Sequence, residues 1–393
     1  MKRILVLNLG STSFKFKLYE MGDQETLIAT GGVERIGAEN GLYEVKSASG
    51  LKEEGSCVCP VHADGLEVCM NAMKHIGLAI DMTSLDVLGY KAVHGGRFSG
   101  SQYVTEELIA EMERMVPFAP AHNPIYLSMM KAMGEKYPNL VQIACFETAF
   151  HATIPLERAV YGVPYEWMQE YGIRRYGFHG SSHSYIAWKM SQIAPENHCI
   201  ISAHMGGSSS LCAIRDGKSI AASMGATPQS GVFHNNRVGD LDVFTLPVLV
   251  EKYGSFDKVM SLLSKESGFQ GLSGVSNDVR FIEEEAAAGN QRSELALNAF
   301  ADEVAGYIGM YAAYLGHLDA VVFTGGIGFK DTIIRKKIVD RLGLFHAKMD
   351  ESKNIRAYEG KLSTPDSGVE LWAMETNEEI MVARGCMKLL NGK

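Results

Sequence analysis

One local pattern occurs twice in this chain, and it limits the fold more than any other feature. The apolar run Ile4-Leu5-Val6-Leu7 enters a loop, Asn8-Leu9-Gly10-Ser11-Thr12-Ser13. The chain leaves it through Phe14, Phe16 and Leu18, which alternate with Lys15, Lys17 and Tyr19. The first run reads as a buried strand and the second as a half-buried strand of period two. Half a chain later, Ile200-Ile201 leads into His204-Met205-Gly206-Gly207-Ser208-Ser209-Ser210, and Leu211 to Arg215 leads out to a turn at Asp216-Gly217. Such an Asp-Gly pair between strands is a hairpin signal. A second echo keeps the same order: Leu85–Gly96 and Leu318–Gly326 are each a short apolar strand ending in a Gly pair. Two paired features in matching order point to a duplicated α/β domain. A chain of 393 residues gives each copy room for a substantial core.

Glycines let backbone N–H groups approach an anion and hydroxyls add donors, so a Gly/Ser loop between strands suits phosphate. One such loop is equally well an ordinary turn. Two in a duplicated frame favour phosphoryl chemistry. The net charge of −9 argues against a nucleic-acid partner, which needs a basic excess. Of the seven cysteines, Cys57, Cys59 and Cys69 lie close together, but no second Cys or His pair follows at zinc spacing. Reduced thiols in a cytoplasm fit this usage better. Lys2-Arg3 and the run after it resemble a signal peptide until Asn8 and Gly10 interrupt it. No stretch approaches the ~20 apolar residues of a membrane span.

Strands and hairpins are expected to about residue 60, then a helix near 65–80, the Lys91 strand and a helix near 105–116. The Pro-punctuated Val116–Pro124 starts another helix, and Val141–Phe146 reads as a strand ending at Glu147. The Tyr-, Pro- and Gly-rich 150–180 stretch reads as a crossing between domains. Helices are expected over 243–265, 278–288 and 293–316, the last with Leu295, Ala299, Val304, Ile308 and Tyr311 facing the core. A helix over 378–390 closes the chain and packs back on the first domain.

Chemistry-bearing residues cluster in Arg174-Arg175-Tyr176-Gly177-Phe178-His179-Gly180-Ser181-Ser182-His183, and again in Thr227–Gly231 and Asn235–Asp240 around Arg237. With these motifs the chain resembles the acetate kinase and propionate kinase family, within the acetate/sugar kinase, hsp70 and actin superfamily. The resemblance runs from Asn8 to about Arg384. It rests on Asn8-x-Gly-Ser-x-Ser-x-Lys15, Val93-His94-Gly95-Gly96, His122-Asn123-Pro124, Phe146-Glu147-Thr148-Ala149-Phe150-His151 and Tyr176-Gly177-Phe178-His179-Gly180. Ser223-Met224-Gly225-x-Thr227-Pro228, the segment Gly271–Arg280, and Thr376-Asn377-Glu378-Glu379 complete it.

The resemblance implies an α/β fold of two duplicated actin/ribonuclease-H-like domains with an interdomain active-site cleft. The domains would be 1–149 plus 378–393 on the acyl and phosphoryl side, and 150–377 on the nucleotide side, with the dimer interface. It implies reversible transfer of the terminal phosphoryl of ATP to acetate or propionate, with Mg²⁺, in a cytoplasmic homodimer without nucleic-acid or membrane partners. Residue by residue, Asn8, Ser11, Ser13 and Lys15 match the loop on the transferred phosphoryl, and His179 and Arg237 match the pair that stabilises it. Lys91 and Glu147 match the groups shaping the acyl end, while Val93, Ala121, Phe178 and Pro228 match the small apolar pocket. Asn8 and Glu378 match the metal-associated groups. His204, Gly206, Gly207, Asp278, Arg280, Gly326, Gly328 and Lys330 match the nucleotide side. The chemistry is consistent with this set, because phosphoryl transfer asks mainly for positioning and charge neutralisation.

The chain departs from the family at several of these places. Lys91 stands for an arginine, a point charge in place of a planar fork. Glu147 stands for an aspartate and Ala121 for a larger aliphatic residue. Gly207 stands where the family's loop carries an asparagine, and Phe329-Lys330 stand for a Glu-Asn pair. Ala221-Ala222 replace a polar Asp-Thr. These changes leave open a larger carboxylate, a pyrophosphate donor, and a non-catalytic nucleotide-binding regulator on the same scaffold.

Overall fold

Ile4, Leu5, Val6 and Leu7 are wholly buried, because the strand they form lies in the middle of a sheet covered on both sides. The computed structural model describes residues 1–392. The first sheet contains β1 (Lys2–Leu9), β2 (Ser13–Met21), β3 (Glu25–Glu34), β4 (Gly41–Ser47), β5 (Lys52–Cys57), β6 (Val87–Ala92), β7 (Ser101–Tyr103) and β8 (Val141–Phe146). Its order is β5-β4-β3-β2-β1-β6-β8-β7. The second contains β9 (Cys199–His204), β10 (Ser210–Arg215), β11 (Lys218–Ala222), β12 (Ala320–Thr324), β13 (Gly360–Lys361) and β14 (Glu370–Ala373), in the order β11-β10-β9-β12-β14-β13.

The duplication is explicit in the pairing. β1 pairs antiparallel with β2 and parallel with β6, and β6 pairs parallel with β8. β9 pairs antiparallel with β10 and parallel with β12, and β12 pairs parallel with β14. Both Gly/Ser loops therefore sit at the same place, at the end of the central strand where the chain reverses into its antiparallel neighbour. The Asp216-Gly217 hairpin is tight because both residues have positive φ, 50° and 74°, as a type I′ turn requires.

The chain divides into two compact units, Met1–Ala149 with the segment from Asn377 onward, and Phe150–Thr376. The helix Glu378–Leu390 returns to the first unit and packs against β1, β2 and β6. Asn377 belongs with it: its Oδ1 caps Ile380 N and accepts from Lys17 Nζ at 3.0 Å. The first core is rich in methionine, with Met70, Met73, Met112, Met130 and Met133 around Phe14 and Phe16. In the second, Phe233, Phe269 and Phe300 form an aromatic trio with centroids 4.9–5.4 Å apart.

Four expectations are corrected. The stretch 150–180 is part of the second unit, with helices Leu156–Ala159 and Tyr165–Tyr171, rather than a crossing segment. Tyr19 is buried although it shares a face with Lys17, because the closing helix packs on that face of β2 and Tyr19 Oη donates to Asn377 Oδ1 at 3.4 Å. The helix expected over 243–265 is two, Leu246–Tyr253 and Phe256–Lys265, separated by a left-handed Gly254 and a Ser255 cap. On the long helix Gln291–Leu315, Leu295 is exposed and the buried stripe runs from Ser293 through Ala296 and Leu297.

Candidate functional site

In the first unit the loop after β1 is held by its backbone. Gly10 N donates to Ser13 O at 2.7 Å, Leu9 N donates to Tyr126 Oη at 3.0 Å, and the His62 ring donates to Gly10 O at 2.8 Å. With the main chain so fixed, Ser11 and Lys15 are exposed and Ser13 is half-buried. Asn8 sits at the end of β1, and its Nδ2 donates to Glu379 Oε1 at 3.4 Å. The other Glu379 oxygen pairs with Lys17 at 3.0 Å.

Lys91 lies at the end of β6, nearly buried, between two carboxylates. It is 3.9 Å from Glu147, at the end of β8, and forms an ion pair with Glu378 in the first turn of the closing helix. Burial pulls the pKa of this ammonium down; Glu147 and Glu378 more than offset it and raise the pKa, so it stays charged. The resemblance names Asn8 and Glu378 as metal-associated groups; here Glu378 pairs with Lys91, and Asn8 donates to Glu379.

Val93 and Ala121 lie on two loops of this unit that one buried residue ties together. Asn123 donates through Nδ2 to His94 O and Met112 O, both at 3.0 Å, and accepts from His94 N at 3.3 Å. Val93 is half-buried against the core and Ala121 is exposed.

In the second unit the loop His204–Ser210 has a different job. Ser210 Oγ is hydrogen-bonded to His179 Nδ1 at 2.8 Å, and Ser208 Oγ accepts from Arg237 Nη1 at 3.2 Å. One loop thus holds both His179 and Arg237, through alternate serines. Behind Ser210 stands His183, fully buried, bonded by Nε2 to Ser210 Oγ and by Nδ1 to Ser202 Oγ, each at 2.9 Å. Burial, with His151 and His204 nearby, keeps His183 neutral by pushing its pKa well below the usual range. His204 stacks on His179 with centroids 4.2 Å apart and is fixed by Ser182 Oγ at 2.8 Å. His179 itself has φ 55°, a left-handed backbone at the cap of the helix Gly180–Ile193. Non-glycine residues are held there only where the surroundings over-determine them, commonly at functional positions.

Arg237 closes a tight turn begun by His234, whose N–H donates to Arg237 O at 3.0 Å. Arg237 Nη1 also donates to Pro228 O at 2.8 Å. Burial lowers the pKa of Arg237 without discharging it, since guanidinium stays protonated in proteins. Phe178 and Pro228 are buried, and Phe178 O accepts from the His151 ring at 2.8 Å. The four residues expected at the acyl end therefore divide between units, Val93 and Ala121 in one, Phe178 and Pro228 in the other.

The nucleotide-side residues also fall in the second unit. Met205 O accepts from Ile327 N at 2.8 Å and Gly328 N at 3.1 Å, which stitches the His204–Ser210 loop to the start of the helix Gly325–Lys330. Gly325 is required there: its φ is 77°, and a Cβ would meet Met205 O at 2.6 Å. Gly206 is half-buried, Gly207, Gly326 and Lys330 are exposed, and Gly328 is buried. Asp278 caps the helix Val279–Ala287 and accepts from Arg280 Nε at 3.0 Å. Its carboxylate therefore positions Arg280, and that bond lowers its pKa.

The donor chemistry of the first unit fits a hard divalent cation. Glu147, Glu378 and Glu379 carry three carboxylates against Lys17 and Lys91, and Asn8 adds an amide oxygen. Mg²⁺ takes only one or two protein carboxylates and fills its shell with water and phosphate oxygens. Among the described residues, the three-residue cluster close enough to chelate by itself is Cys199, His317 and Asp319. One Asp319 oxygen there is committed to the backbone N–H groups of His198 and Cys199.

The residues missed in the sequence are the holders: Ser208, Ser210, His183, Asn123 and Tyr126. Ser208 and Ser210 fell inside the second Gly/Ser loop and Asn123 and His183 inside other motifs, but nothing local marked their partners.

A sequence model of the acetokinase family matches residues 3–384. An acetate kinase of Carboxydothermus hydrogenoformans is 41% identical over 405 residues, covering 100% of both chains. That of Bacillus subtilis is 38% identical over 395 residues, with 99% of this chain and 100% of that one covered. Among solved structures, Porphyromonas gingivalis acetate kinase superposes with a TM-score of 0.89 at 35% identity, covering 99% of this chain and 100% of that one. A propionate kinase from Francisella tularensis superposes with a TM-score of 0.90 at 33% identity, covering 98% and 99%.

Proposed function

The chain belongs to the acetokinase family, phosphotransferases with a carboxyl acceptor, and on that premise we propose how its residues divide the transfer of the ATP γ-phosphoryl to acetate or propionate. A carboxylate oxygen attacks the γ-phosphorus, the bond from that phosphorus to the β,γ-bridging oxygen breaks, and ADP leaves with that oxygen. No proton moves, because the acceptor is already ionised at neutral pH. The task is positioning and charge neutralisation.

The observation that carries this reading is the single loop His204–Ser210 holding His179 through Ser210 and Arg237 through Ser208. Arg237 is a charged fork with fixed direction, suited to the equatorial oxygens of the moving phosphoryl. His179, oriented by its bond to Ser210, serves the same oxygens. In the first unit, Ser11, Ser13 and Lys15 contribute donors toward phosphate. Lys91, kept charged by Glu147 and Glu378, turns toward the acceptor carboxylate. Val93, Ala121, Phe178 and Pro228 limit the acyl group, and the small Ala121 favours tolerance of propionate beside acetate.

Glu378 and Asn8, with Glu379 beside them, would hold Mg²⁺, which when bound supplies charge neutralisation on the polyphosphate. His204, Gly206, Gly207, Asp278, Arg280, Gly326, Gly328 and Lys330 would face the nucleotide. A homodimer through the second unit is supported by an apolar surface: Phe244 is 84% exposed, with Val243, Val248 and Phe256 exposed on the neighbouring helices. No helix is long and apolar enough to cross a membrane among the described residues. A cytoplasmic setting is supported by seven cysteines that are all free.

The test is a hydroxylamine trap for acyl phosphate over a panel of carboxylates, with ATP and pyrophosphate as alternative donors. Hydroxamate from acetate or propionate with ATP is the expected result. Product only with pyrophosphate would replace the donor, product only with longer acids would replace the acceptor, and no product from any pair would overturn the reading.

A further inference from the structure

The loops that carry the phosphoryl chemistry of the second unit leave the C-terminal ends of β9 and β12. At the opposite end of the same two strands, three other side chains meet. Cys199 is the first residue of β9, Asp319 directly precedes β12, and the strands pair in parallel from Ile200 and Ala320 onward. His317 stands two residues before Asp319, just past Gly316, whose φ of 81° ends the long helix. A ligand atom of each of the three lies within 4.8 Å of those of the other two. The length of β9 puts Cys199 about 16 Å from His204, so this cluster is separate from the phosphoryl site.

The backbone holds the cluster in place. Asp319 Oδ2 accepts from Cys199 N at 2.7 Å and from His198 N at 2.9 Å, and Asp319 N donates to Cys199 O at 2.9 Å. One carboxylate oxygen is thus spent on the main chain, while Oδ1 lies toward His317. Arg215 Nη2 donates to Leu315 O at 2.7 Å and Tyr314 O at 3.0 Å, which fixes the helix end that carries His317. Hydrogen bonds of this kind, to the atoms behind a ligand, are how metal sites orient their donors.

The spacing within the cluster points to the ion. His317 Nε2 and Asp319 Oδ1 are 3.4 Å apart. That is beyond the range of a good N–H···O bond. It matches the ~3.3 Å edge between the nitrogen and oxygen ligands of a tetrahedral zinc, and the edge to a thiolate sulfur is about 3.6 Å. Closing Cys199 onto the same ion takes a shift on the order of 1 Å. One sulfur, one imidazole and one carboxylate suit zinc, whereas magnesium and calcium take oxygen. Cys199 is buried, Asp319 half-buried and His317 exposed, so the remaining position opens to solvent.

We infer that Cys199, His317 and Asp319 form a zinc site with three protein ligands and a water in the fourth position. The Cys199 thiol gives its proton to solvent as the sulfur–zinc bond forms, and the neutral imidazole and the carboxylate each supply a lone pair. The bound ion ties the end of the long helix to the starts of β9 and β12. It stabilises the second unit and takes no part in phosphoryl transfer, so the inference stands apart from the kinase reading.

The test uses the full chain, freed of metal by a chelator and kept reduced with a phosphine. It is titrated with Co²⁺ as a spectroscopic probe and with Zn²⁺ by calorimetry. Wild type should show a thiolate-to-cobalt band in the near ultraviolet with the strong visible bands of tetrahedral cobalt, and Zn²⁺ should raise its thermal midpoint. Cys199→Ser should abolish the thiolate band. His317→Ala removes an exposed ligand and should weaken Zn²⁺ binding about 100-fold or more. It should also abolish the zinc-dependent rise in thermal midpoint, while the metal-free midpoint and acyl phosphate formation with Mg²⁺ stay as in wild type. Absence of the thiolate-to-cobalt band in wild type would overturn the inference. So would a band that persists in both variants, because the thiolate would then lie elsewhere in the chain. Zn²⁺ affinity unchanged in His317→Ala would overturn it as well, whether or not Cys199→Ser folds.

Discussion

The two Gly/Ser loops share a strand-loop-strand frame and use it in opposite ways. After β1, a hydrogen bond from Leu9 N to Tyr126 and one from the His62 ring to Gly10 O fix the main chain, and Ser11 and Lys15 are left outward. After β9, Ser208 and Ser210 are turned to Arg237 and His179, which come from elsewhere in the sequence. The first loop presents its own side chains; the second is a holder for others. Duplication preserves the backbone solution, while the chemistry is redistributed by which side chains the loop spends on the protein and which on the ligand. The electrostatics differ in the same sense. The first unit carries charged pairs, Lys91 with Glu147 and Glu378 and Lys17 with Glu379, whereas the second sets Arg237 among histidines, of which His183 and His234 are kept neutral.

The largest effect should come from the group the second loop holds. Arg237→Ala should lower kcat on the order of 10³-fold, as for arginines on a transferring phosphoryl. A loss below about tenfold would remove Arg237 from that role. In the first unit, Lys91→Met leaves Glu147 and Glu378 nearly buried without their cation and should cost about 3–5 kcal/mol in denaturant unfolding. Adding Glu147→Gln should recover part of this loss; no recovery would mean that Lys91 and Glu147 are not coupled.

Acid should separate the two units. Burial lowers the pKa of His151 to about 4 and of His234 to about 3, with His183 also well below its ordinary value; in the first unit His94 falls to about 4. A depressed pKa means the unfolded chain binds the proton first. The stability these neutral histidines contribute is therefore present above about pH 6.5 and is lost as pH falls toward 4. Amide exchange compared at pH 7 and pH 5 should show greater opening in Phe150–Thr376 than in Met1–Ala149. Equal opening would contradict the contrast. The smallest effects compare the loops directly. Ser210→Ala should lower kcat about tenfold by releasing His179, one hydrogen bond's worth. Ser11→Ala should raise KM for ATP about threefold with kcat held, the cost of one weak exposed contact. The reverse assignment would break the holder-and-presenter distinction.

Much of the frame was legible in the sequence because it is local. Alternation at Phe14, Phe16 and Leu18, the Asp216-Gly217 turn and the closing helix over 378–390 all depend on neighbours a few residues apart. Tyr19 was misread because the helix that covers its face comes from the far end of the chain, which period alone does not show. The helix expected over 243–265 broke at Gly254 because glycine and a following serine cap outweigh a continuous apolar pattern. The site was legible as residues and not as bonds. His179 and Arg237 stood out by type and motif. Ser210 and Ser208 lie 31 and 29 residues from the groups they hold, and no spacing rule links them.

The central claim is that transfer is one direct displacement at phosphorus, with the moving group held by His179 and Arg237. The stereochemistry of transfer from ATP made chiral at the γ-phosphorus tests it most directly. Inversion of configuration in the acyl phosphate is the predicted result; retention would show two displacements through a phosphorylated protein group and would contradict the account.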